Sequence, residues 1–580
     1  MQFPVLESLA QIATQASQGV NQFLASIPVP DQVRLLLDDP RAPSPWAAAA
    51  VAAIAVAALR SYRKHFVPPA HLRHLPRQTM LSIVRTMLAR RGFLPTQALL
   101  MERIRADAIR RGVIKDETET PRLWCTWLFG RWAVVVANPE DARQVLTNHE
   151  TFEKFDFAKL GLKINGDLLG KNVAMTPTHD WKRQRKVVNP AFRRGFATSL
   201  FATPTRQLLV HMDAHCANGK PVDIAVWMQR MTLDALSSVG FGVNFDSINH
   251  PDAPMVKLYN EVMSALVDPS AALLGPLAAL SPRIRRSKQA VREFNQFIFS
   301  LVDDKTASLE RKRSSGAAIG DEDDEPPADL LELMVSASSN GSFSREDLRA
   351  NTVVFFIAGH DTTANALTFA MYLLGRHPEI QAKARREVLS VMGDVSKGTS
   401  IDDMPYPTNE QQQLSMPYLT MVIKETMRLY PSVTAMPTRE LTKPVKLYNG
   451  LELPKDSLVV VNDFVVQRAK EYWGKDAAEF RPERWEGLGV AVAGGEEAGG
   501  SIPLHPTAHN FTWMPFGGGQ RICMGQQFSI TEQRVLLSMM LARYEWSVVG
   551  NDEALAGMPE TSPGGLLHPL NIMLNMKSLV

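Results

Sequence analysis

The sequence predicts a large, mostly α-helical protein. Residues 194–305 contain several stretches in which apolar residues recur at helical spacing, and prolines separate these stretches. A Ser-x-x-Asp capping box at Ser344 opens one more helix, which we expect to continue to about Gly375. Strand-like patterns are shorter: a β-branched run at 132–137, and a segment at 445–461 whose turn signals indicate a hairpin. Helices therefore dominate the expected fold.

Four further segments carry local signals. Residues 139–145 begin with a proline and two acidic residues, the composition of a helix start. Asp180 is a residue type suited to N-cap the helix that follows it. The charged block 310–329 has few apolar residues and is expected to be a disordered surface loop, and the Gly/Ala-rich stretch 487–501 is expected to be a flexible insertion.

Composition indicates a globular protein of a reducing compartment. Of the 580 residues, 45% are hydrophobic and 21% are charged, and the net charge of +3 gives no reason to expect a nucleic-acid partner. The three cysteines, Cys125, Cys216 and Cys523, form no CxxC pair. An odd, sparse set of this kind argues against a disulfide framework.

The first 67 residues are expected to form a separate N-terminal segment. Apolar residues recur at helical spacing between positions 9 and 27, which predicts an amphipathic helix, although a weakly ordered tail fits as well. The apolar run 46–59 is followed by basic residues, and we interpret it as a membrane anchor that leaves the rest of the chain cytosolic. Because the run is shorter than the ~20 residues that span a bilayer, a buried or interfacial helix is the alternative.

A glycine-rich loop presents Cys523 just before a helical run, within the segment 511–532. Positive φ angles at 517–519 would turn amide protons toward the sulfur, the helix start favours a thiolate, and Arg521 adds a cation. The flanks offer no general base for a nucleophile and no second ligand for zinc, and the glycine spacing does not match a dinucleotide loop. A lone thiolate in this setting fits the axial ligand of a haem.

The spacing Phe516-x-x-Gly519-x-Arg521-x-Cys523-x-Gly525 closely resembles the haem-binding loop of the cytochrome P-450 family. By this resemblance, Cys523 binds the iron of haem b, Phe516 lies beside the ring and Arg521 meets a propionate. The two glycines occupy the glycine positions of the motif.

The centre of the long helix, Ala-Gly-His-Asp-Thr-Thr, matches the oxygen-activation signature of the same family. Gly359 costs a helix about 1 kcal/mol relative to alanine, and neighbouring hydroxyl groups compete for backbone carbonyls, so we expect a widened groove for a small ligand and water. By resemblance, Asp361 and Thr362 deliver protons to bound dioxygen. The alternative is a solvent-facing acid beside a threonine that only bends the helix.

Three more residues resemble propionate ligands of the family. Trp181 and Arg185 lie one helical turn apart and match its Trp-x-x-x-Arg motif, and Arg439 matches a further arginine. Taken alone, the motif would describe a core tryptophan with solvated cations, and Arg439 an exposed strand residue.

Glu425, Arg428 and Arg484 match a buried three-charge network that steadies the cysteine side of the haem in the family. One position departs from the family pattern: Gln467 stands before Arg468 where a histidine is common. That position holds a propionate or the nearby backbone, so the resemblance does not decide what Gln467 contacts.

The resemblance covers the chain from about residue 123 and implies a triangular, mainly helical catalytic domain with a minor β region at 68–580. It implies a monooxygenase of the eukaryotic microsomal type, and a short run before the long helix is similar to fungal members. Such an enzyme inserts one atom of O2 into a hydrophobic small molecule. No flavin-binding region follows Cys523, so electrons are expected from a separate NADPH–cytochrome P-450 reductase, with cytochrome b5 as an additional donor. The expected location is the endoplasmic reticulum membrane, with the catalytic domain facing the cytosol.

Two other classes of haem protein stay open at this point. An O2-independent isomerase or dehydratase needs no proton relay, and a haem sensor or carrier needs no long pocket helix; Asp361 and Thr362 argue against the first. The walls of the substrate pocket are expected to be mostly apolar and to include Phe355, Ala358, Val433, Thr434, Ala435, Leu566 and Leu567.

Overall fold

The computed structural model divides the chain into two compact units, Met1–Val67 and Pro68–Val580, and every element given below belongs to the second. The expected N-terminal helix, the run 46–59 and the insertion 487–501 lie outside the described residues. Among the described helices, none is long and apolar enough to cross a membrane. The structure describes residues 66–580 except 80–81, 84, 86–91, 157–162, 194–195, 268–279, 315–328, 339–340, 409–414, 487–510, 551–557 and 564–565.

Helices form most of the second unit, as the sequence predicts, and α2 confirms the helix expected at 139–145. In chain order the helices are α1 (Phe93–Arg110), α2 (Pro139–Thr147), α3 (Lys163–Leu169), α4 (Thr178–Arg193), α5 (Ser199–Asn218), α6 (Ile224–Phe241), α7 (Pro254–Val267), α8 (Pro282–Ser314), α9 (Leu330–Ala337), α10 (Arg345–Arg376), α11 (Pro378–Met392), α12 (Pro417–Leu429), α13 (Asp463–Val466), α14 (Lys470–Trp473) and α15 (Gln526–Arg543).

The β region is small and confirms the second part of the predicted fold class. Its strands are β1 (Arg77–Gln78), β2 (Leu123–Leu128), β3 (Arg131–Val136), β4 (Phe152–Lys154), β5 (Val222–Asp223), β6 (Arg439–Leu441), β7 (Val445–Lys446), β8 (Glu452–Leu453), β9 (Leu458–Val461), β10 (Tyr544–Val548) and β11 (Met573–Ser578). One sheet has the order β1-β2-β3-β9-β6-β4, a second has the order β10-β11-β5, and β7 pairs with β8 as the predicted hairpin.

The long helix α10 lies at the centre of the larger apolar core. Its predicted capping box is present, because the Ser344 side chain accepts from the backbone of Asp347 and Asp347 accepts from the backbone of Ser344. Helices α6, α8 and α12 and strand β10 all pack against it. At the contact with α6, a Cβ on Gly359 would lie 3.0 Å from Leu236 Cδ2. The glycine therefore allows these two helices to approach closely.

The predicted start of α4 is wrong by about one turn. The helix begins at Thr178, so Asp180 lies in its first turn and is not the N-cap. Contacts from elsewhere in the chain hold the true start, since Thr178 Oγ1 donates to His149 O at 2.9 Å and Glu153 Oε1 accepts from Thr178 N at 3.3 Å. Asp180 keeps a favourable place near the positive end of the helix dipole.

The predicted start of the loop 310–329 is also wrong, because α8 continues to Ser314. The last turns of α8 pack on the core through Leu309, which is buried, and this packing outweighs the charged composition. At the other end of the segment, Asp329 N-caps α9 and forms an ion pair with Lys305. Residues 315–328 lie outside the described part of the chain.

Candidate active site

A cavity of ≈ 320 Å³ lies between α10 and the loop that precedes α15. Residues from α4, α6, α9, β4, β6 and the segment after α12 also line it. Two predicted site residues, Gly519 and Asp361, do not line it. The other predicted site residues meet at this one cavity although the sequence separates them widely: Trp181, Arg185, Thr362, Arg439, Phe516, Arg521, Cys523 and Gly525.

The three glycines at 517–519 in the cysteine loop differ in backbone conformation. Gly517 and Gly519 have φ angles of +77° and +67°, as predicted, whereas Gly518 is extended. A Cβ on Gly519 would lie 2.5 Å from Leu146 O, so this glycine is required where the loop touches α2. The loop closes when Cys523 N donates to Phe516 O at 2.9 Å. The turn thus brings the cysteine to the cavity.

The protein environment does not favour the Cys523 thiolate as strongly as the sequence predicts. The side chain is accessible from the cavity, but protein atoms enclose it, and this desolvation raises the pKa of the thiol above its usual value. The Gly525 amide and the charges of Arg185 and Lys154 only partly oppose that effect. A metal ion bound at the sulfur would supply the missing stabilisation of the thiolate.

Arg521 is not the cation that acts on the cysteine. Its Nη1 donates to Thr176 O at 2.9 Å, and its guanidinium lies 4.6 Å from the centroid of the Trp181 ring. Arg185 is the closer partner of the loop, since its Nη1 donates to Ile522 O at 3.0 Å. On α4, Trp181 therefore contacts the Arg521 guanidinium, and Arg185 contacts the backbone of the cysteine loop.

The cavity wall carries buried cations with unused donors. Arg439 Nε and Nη1 and Arg521 Nε are buried without a hydrogen-bond partner among the described residues. Burial lowers the pKa of Arg439 to about 10, and burial together with Arg439 and Arg185 lowers the pKa of Arg521 to about 10. Arginines at a cavity wall that have such donors are suited to bind an anionic ligand.

Lys154 joins this cluster, and the sequence analysis missed it. It pairs in register with Arg439, because β4 runs antiparallel to β6, and its Nζ donates to Ala174 O. Desolvation lowers the pKa of Lys154 far below its usual value, and the charges of Arg439 and Arg521 lower it further. Only the register of the sheet brings this lysine to the cavity, so no local pattern in the sequence identifies it.

On α10, Thr362 faces the cavity and Asp361 does not. Thr362 Oγ1 donates to Ala358 O at 2.7 Å, the backbone contact that was expected, yet the helix is continuous from Arg345 to Arg376. Asp361 is buried, with its Oδ1 3.2 Å from His360 Nδ1. The Thr362 hydroxyl therefore lies at the cavity, whereas the Asp361 carboxyl group is buried away from it.

Similarity to known proteins agrees with this geometry. The cytochrome P-450 family model matches residues 101–576. The chain belongs to the cytochrome P-450 family. Cytochrome P-450 3A16 of Mus musculus is 27% identical over 433 residues, which cover 71% of this chain and 76% of the relative. Cytochrome P-450 monooxygenase 205 of Postia placenta is 28% identical over 439 residues, which cover 70% and 75%.

As a cytochrome P-450, the chain is a haem-thiolate monooxygenase that uses O2. The residues at the cavity fit a haem, because one cysteine thiol lies on its wall and two arginines that line it have buried donors without partners among the described residues. Haem carries two propionates, and a cluster of cations is the chemistry that binds them.

The predicted three-charge network of this cytochrome P-450 is present; Glu425 and Arg428 are fully buried, and the Arg484 side chain is 5% exposed. Glu425 Oε2 lies 2.8 Å from Arg428 Nε, and Glu425 Oε1 lies 2.7 Å from Arg484 Nε. Trp485 Nε1 also donates to Glu425 at 3.0 Å. These contacts tie α12 to the segment Pro482–Trp485.

Gln467 connects this network to the cysteine loop. Its Nε2 donates to Met427 O and Arg428 O, both at 3.2 Å, and its Oε1 accepts from Met514 N at 2.8 Å. Arg428 in turn donates to Gln467 O at 2.9 Å. The glutamine that departs from the family pattern therefore joins the end of α12 to the start of the loop through backbone contacts.

We expect Gln467→Leu to weaken haem retention. The change leaves Met514 N and two carbonyl oxygens buried without their partner, and each such group costs roughly 1–3 kcal/mol. The rate of haem transfer to an excess of a haem-binding acceptor protein should rise several-fold, and urea should unfold the variant at lower concentration.

Gln381→Leu is the matched control for this prediction. Gln381 is also buried and bonds three backbone groups, one on Leu374 and two on Trp546, but it lies on α11 away from the loop. The Gln381→Leu variant should be less stable than the unmodified protein. Under conditions in which both are folded, the two should transfer haem at the same rate. Equal haem loss in both variants would contradict a special role for Gln467.

Proposed function

We propose that Cys523 Sγ is the axial ligand of haem b in this monooxygenase. The observation that carries the proposal is a single cavity that joins one cysteine thiol, a group of buried cations and the Thr362 hydroxyl. When bound, the haem supplies the activation of O2 and the attack on a C–H bond. The protein supplies the ligand, the binding of the propionates, the delivery of protons and the shape of the pocket.

The propionates would be held by Arg439, Arg521 and Lys154, with Trp181 and Arg185 beside them. Arg439 and Arg521 keep buried donors without partners, and each lowers the pKa of Lys154 through its charge. Bringing these cations together in a desolvated place is unfavourable unless an anion lies among them. Two carboxylates would meet that requirement.

Thr362 is proposed to pass protons within the cavity, with Asp361 as the acid behind it. The Thr362 hydroxyl donates to Ala358 O in this structure, so it must turn to donate to a molecule in the cavity. Ser432 Oγ donates to Thr362 O at 2.7 Å and holds the backbone of this turn. The hydroxyl can therefore rotate while its backbone stays in place.

The substrate is proposed to be a hydrophobic small molecule. Phe355, Ala358 and Val433 line the cavity as expected, and further apolar side chains do so as well: Phe192, Leu236, Leu330 and Val354. Thr434, Ala435, Leu566 and Leu567 are not part of the lining, which moves the expected wall toward α6 and α10. Binding a hydrophobic molecule against such a wall is favourable because it removes apolar surface from water.

Cys523→His tests the ligand. We expect the variant to keep some haem, because the cations remain, but to lose the red-shifted Soret band of the reduced carbonyl complex, which requires a sulfur ligand. Optical spectra under carbon monoxide measure this. Cys125→Ser and Cys216→Ser should keep the band, and a band that survives in Cys523→His would remove Cys523 from the ligand position.

Thr362→Ala tests the proton path. We expect normal substrate-induced spectral shifts, a several-fold fall in product per NADPH and a matching rise in hydrogen peroxide, because the hydroxyl donor is lost. Thr368→Ala is the control: Thr368 on the same helix makes the same kind of bond, to Ala364 O at 2.8 Å, but does not line the cavity. Full coupling in Thr362→Ala would exclude the hydroxyl from the mechanism.

Electrons are proposed to come from NADPH–cytochrome P-450 reductase, with cytochrome b5 as an additional donor. Lys182 and Lys186 are exposed and lie one turn apart on α4, whose other face presents Trp181 and Arg185 to the cavity. Lys182 Nζ is 2.8 Å from Glu150 Oε1, an exposed pair that contributes little to stability. An acidic reductase surface would be steered to these lysines.

The double change Lys182→Glu and Lys186→Glu should slow the first electron transfer several-fold at low ionic strength. The difference should narrow as salt rises, because charges are screened over about 8–10 Å at physiological salt. Stopped-flow reduction under carbon monoxide measures the rate. The exposed Lys446→Glu and Lys455→Glu pair changes the net charge equally and should have no effect. Equal rates for both double variants would place the reductase elsewhere.

The chain is also proposed to act at the endoplasmic reticulum membrane, with Pro68–Val580 on the cytosolic side. The apolar run 46–59 and the basic residues after it support this proposal. Fractionation of cells that express the full chain and a chain without residues 1–67 tests it.

A further inference from the structure

His360 faces away from the cavity, toward α7. The imidazole has 5% of its surface exposed, and its Nδ1 lies 3.1 Å from Tyr259 Oη and 3.2 Å from Asp361 Oδ1. The two rings meet edge to face at 5.4 Å. Neither His360 nor Asp361 lines the cavity, although the residues on either side, Gly359 and Thr362, do. A hydrogen-bonded histidine–tyrosine pair therefore lies next to the acid on the α7 side of α10.

The hydrogen-bond pattern assigns the ring proton of His360. Tyr259 Oη donates its only proton to Phe356 O at 3.3 Å, so its oxygen is left as an acceptor. The Asp361 carboxylate is an acceptor as well. Because Nδ1 faces two acceptors, it is the nitrogen that carries hydrogen in the neutral imidazole.

The surroundings of this group are apolar, which strengthens its hydrogen bonds. Burial lowers the pKa of His360, which Asp361 opposes and His568 reinforces, and burial and Asp361 both raise the pKa of Tyr259. The imidazole and the phenol are therefore both neutral near pH 7. Three phenylalanine rings pack around Tyr259 at centroid distances of 6.4, 6.0 and 6.5 Å: Phe245, Phe294 and Phe356.

We propose that His360 and Tyr259 are positioning residues for the carboxyl group of Asp361. The Nδ1–H group of His360 donates to Tyr259 Oη, which keeps the hydrogen on Nδ1. This polar edge of the ring lies 3.2 Å from Asp361 Oδ1 and attracts the carboxylate to the α7 side. The carboxyl group reaches the cavity only by turning away from this pair. The contact therefore controls when Asp361 can hand a proton to Thr362, and the inference rests on the proposed proton path.

Three substitutions separate the hydrogen bonds from packing. His360→Leu removes the donor, His360→Asn keeps an N–H near the position of Nδ1, and Tyr259→Phe removes only the phenol oxygen. In crystal structures of the haem-loaded variants, we expect Asp361 to leave the α7 side in His360→Leu and to stay there in His360→Asn. Coupled turnover should fall roughly 10- to 100-fold in His360→Leu, the usual scale for loss of an outer partner. It should fall less in Tyr259→Phe and stay near normal in His360→Asn.

His377→Asn and Tyr372→Phe are matched controls from the same region. His377 Nδ1 lies 3.4 Å from Glu379 Oε1 just after α10, and Tyr372 Oη accepts from Arg376 at 3.1 Å on the helix itself. Neither residue lines the cavity. These changes should at most shift the midpoint of thermal unfolding. They should leave the coupling of NADPH consumption to product formation and the orientation of Asp361 unaltered.

An Asp361 carboxyl group that stays in place in His360→Leu, with normal coupling, would overturn the inference. So would equal losses in His360→Leu and His360→Asn, since packing would then explain both. If His360→Leu does not fold, an unchanged orientation and unchanged coupling in Tyr259→Phe and His360→Asn overturn it instead. If the unmodified protein forms no product with reductase, the proposed proton path fails, and the crystal structures still show whether the pair positions Asp361.

Discussion

The burial of the Glu425 carboxylate constrains much of the cysteine side of the molecule. A charge with no exposed surface is stable only beside counter-charges, and Arg428 and Arg484 supply them. Each arginine then has donors to spare, and Arg428 uses its own on carbonyl groups of residues 467, 477 and 479. One ionic contact thus holds α12 and the chain after α14 together.

The cysteine loop is linked to this ionic contact through a neutral side chain, that of Gln467. Gln467 bonds the last turn of α12 and the backbone of Met514, where the loop begins. An amide cannot change its charge with pH, whereas the histidine common in the family at this position titrates near neutrality. In this chain the link between the ionic contact and the loop is therefore independent of pH over the physiological range.

The two faces of α10 carry different functional groups, and Gly359 lets the helix pack closely against α6. Gly359 lets Leu236 of α6 come close, so the helix is fixed against the core at the level of the active cavity. Thr362 then faces the cavity while His360 and Asp361 face α7. A rigid helix with an acid on one face and a hydroxyl on another requires side-chain rotation, and not backbone movement, to join them.

Local sequence was sufficient for features that depend on neighbours in the chain. The capping box at Ser344, the glycine turn before Cys523 and the Glu425–Arg428 pair all act over three to six residues, and all are present. The family motifs also placed eight predicted residues on one cavity.

Tertiary structure alone decided contacts between distant segments. Lys154 reaches the cavity through the register of β4 on β6, and His360 finds Tyr259 because α7 packs beside α10. Thr178 starts α4 through partners on residues 149 and 153, and the packing of Leu309 extends α8 into a charged block. Spacing along a chain determines which side chains share a turn or a helix face, but burial and cross-strand register depend on which segments meet, and that is settled only when the whole core packs.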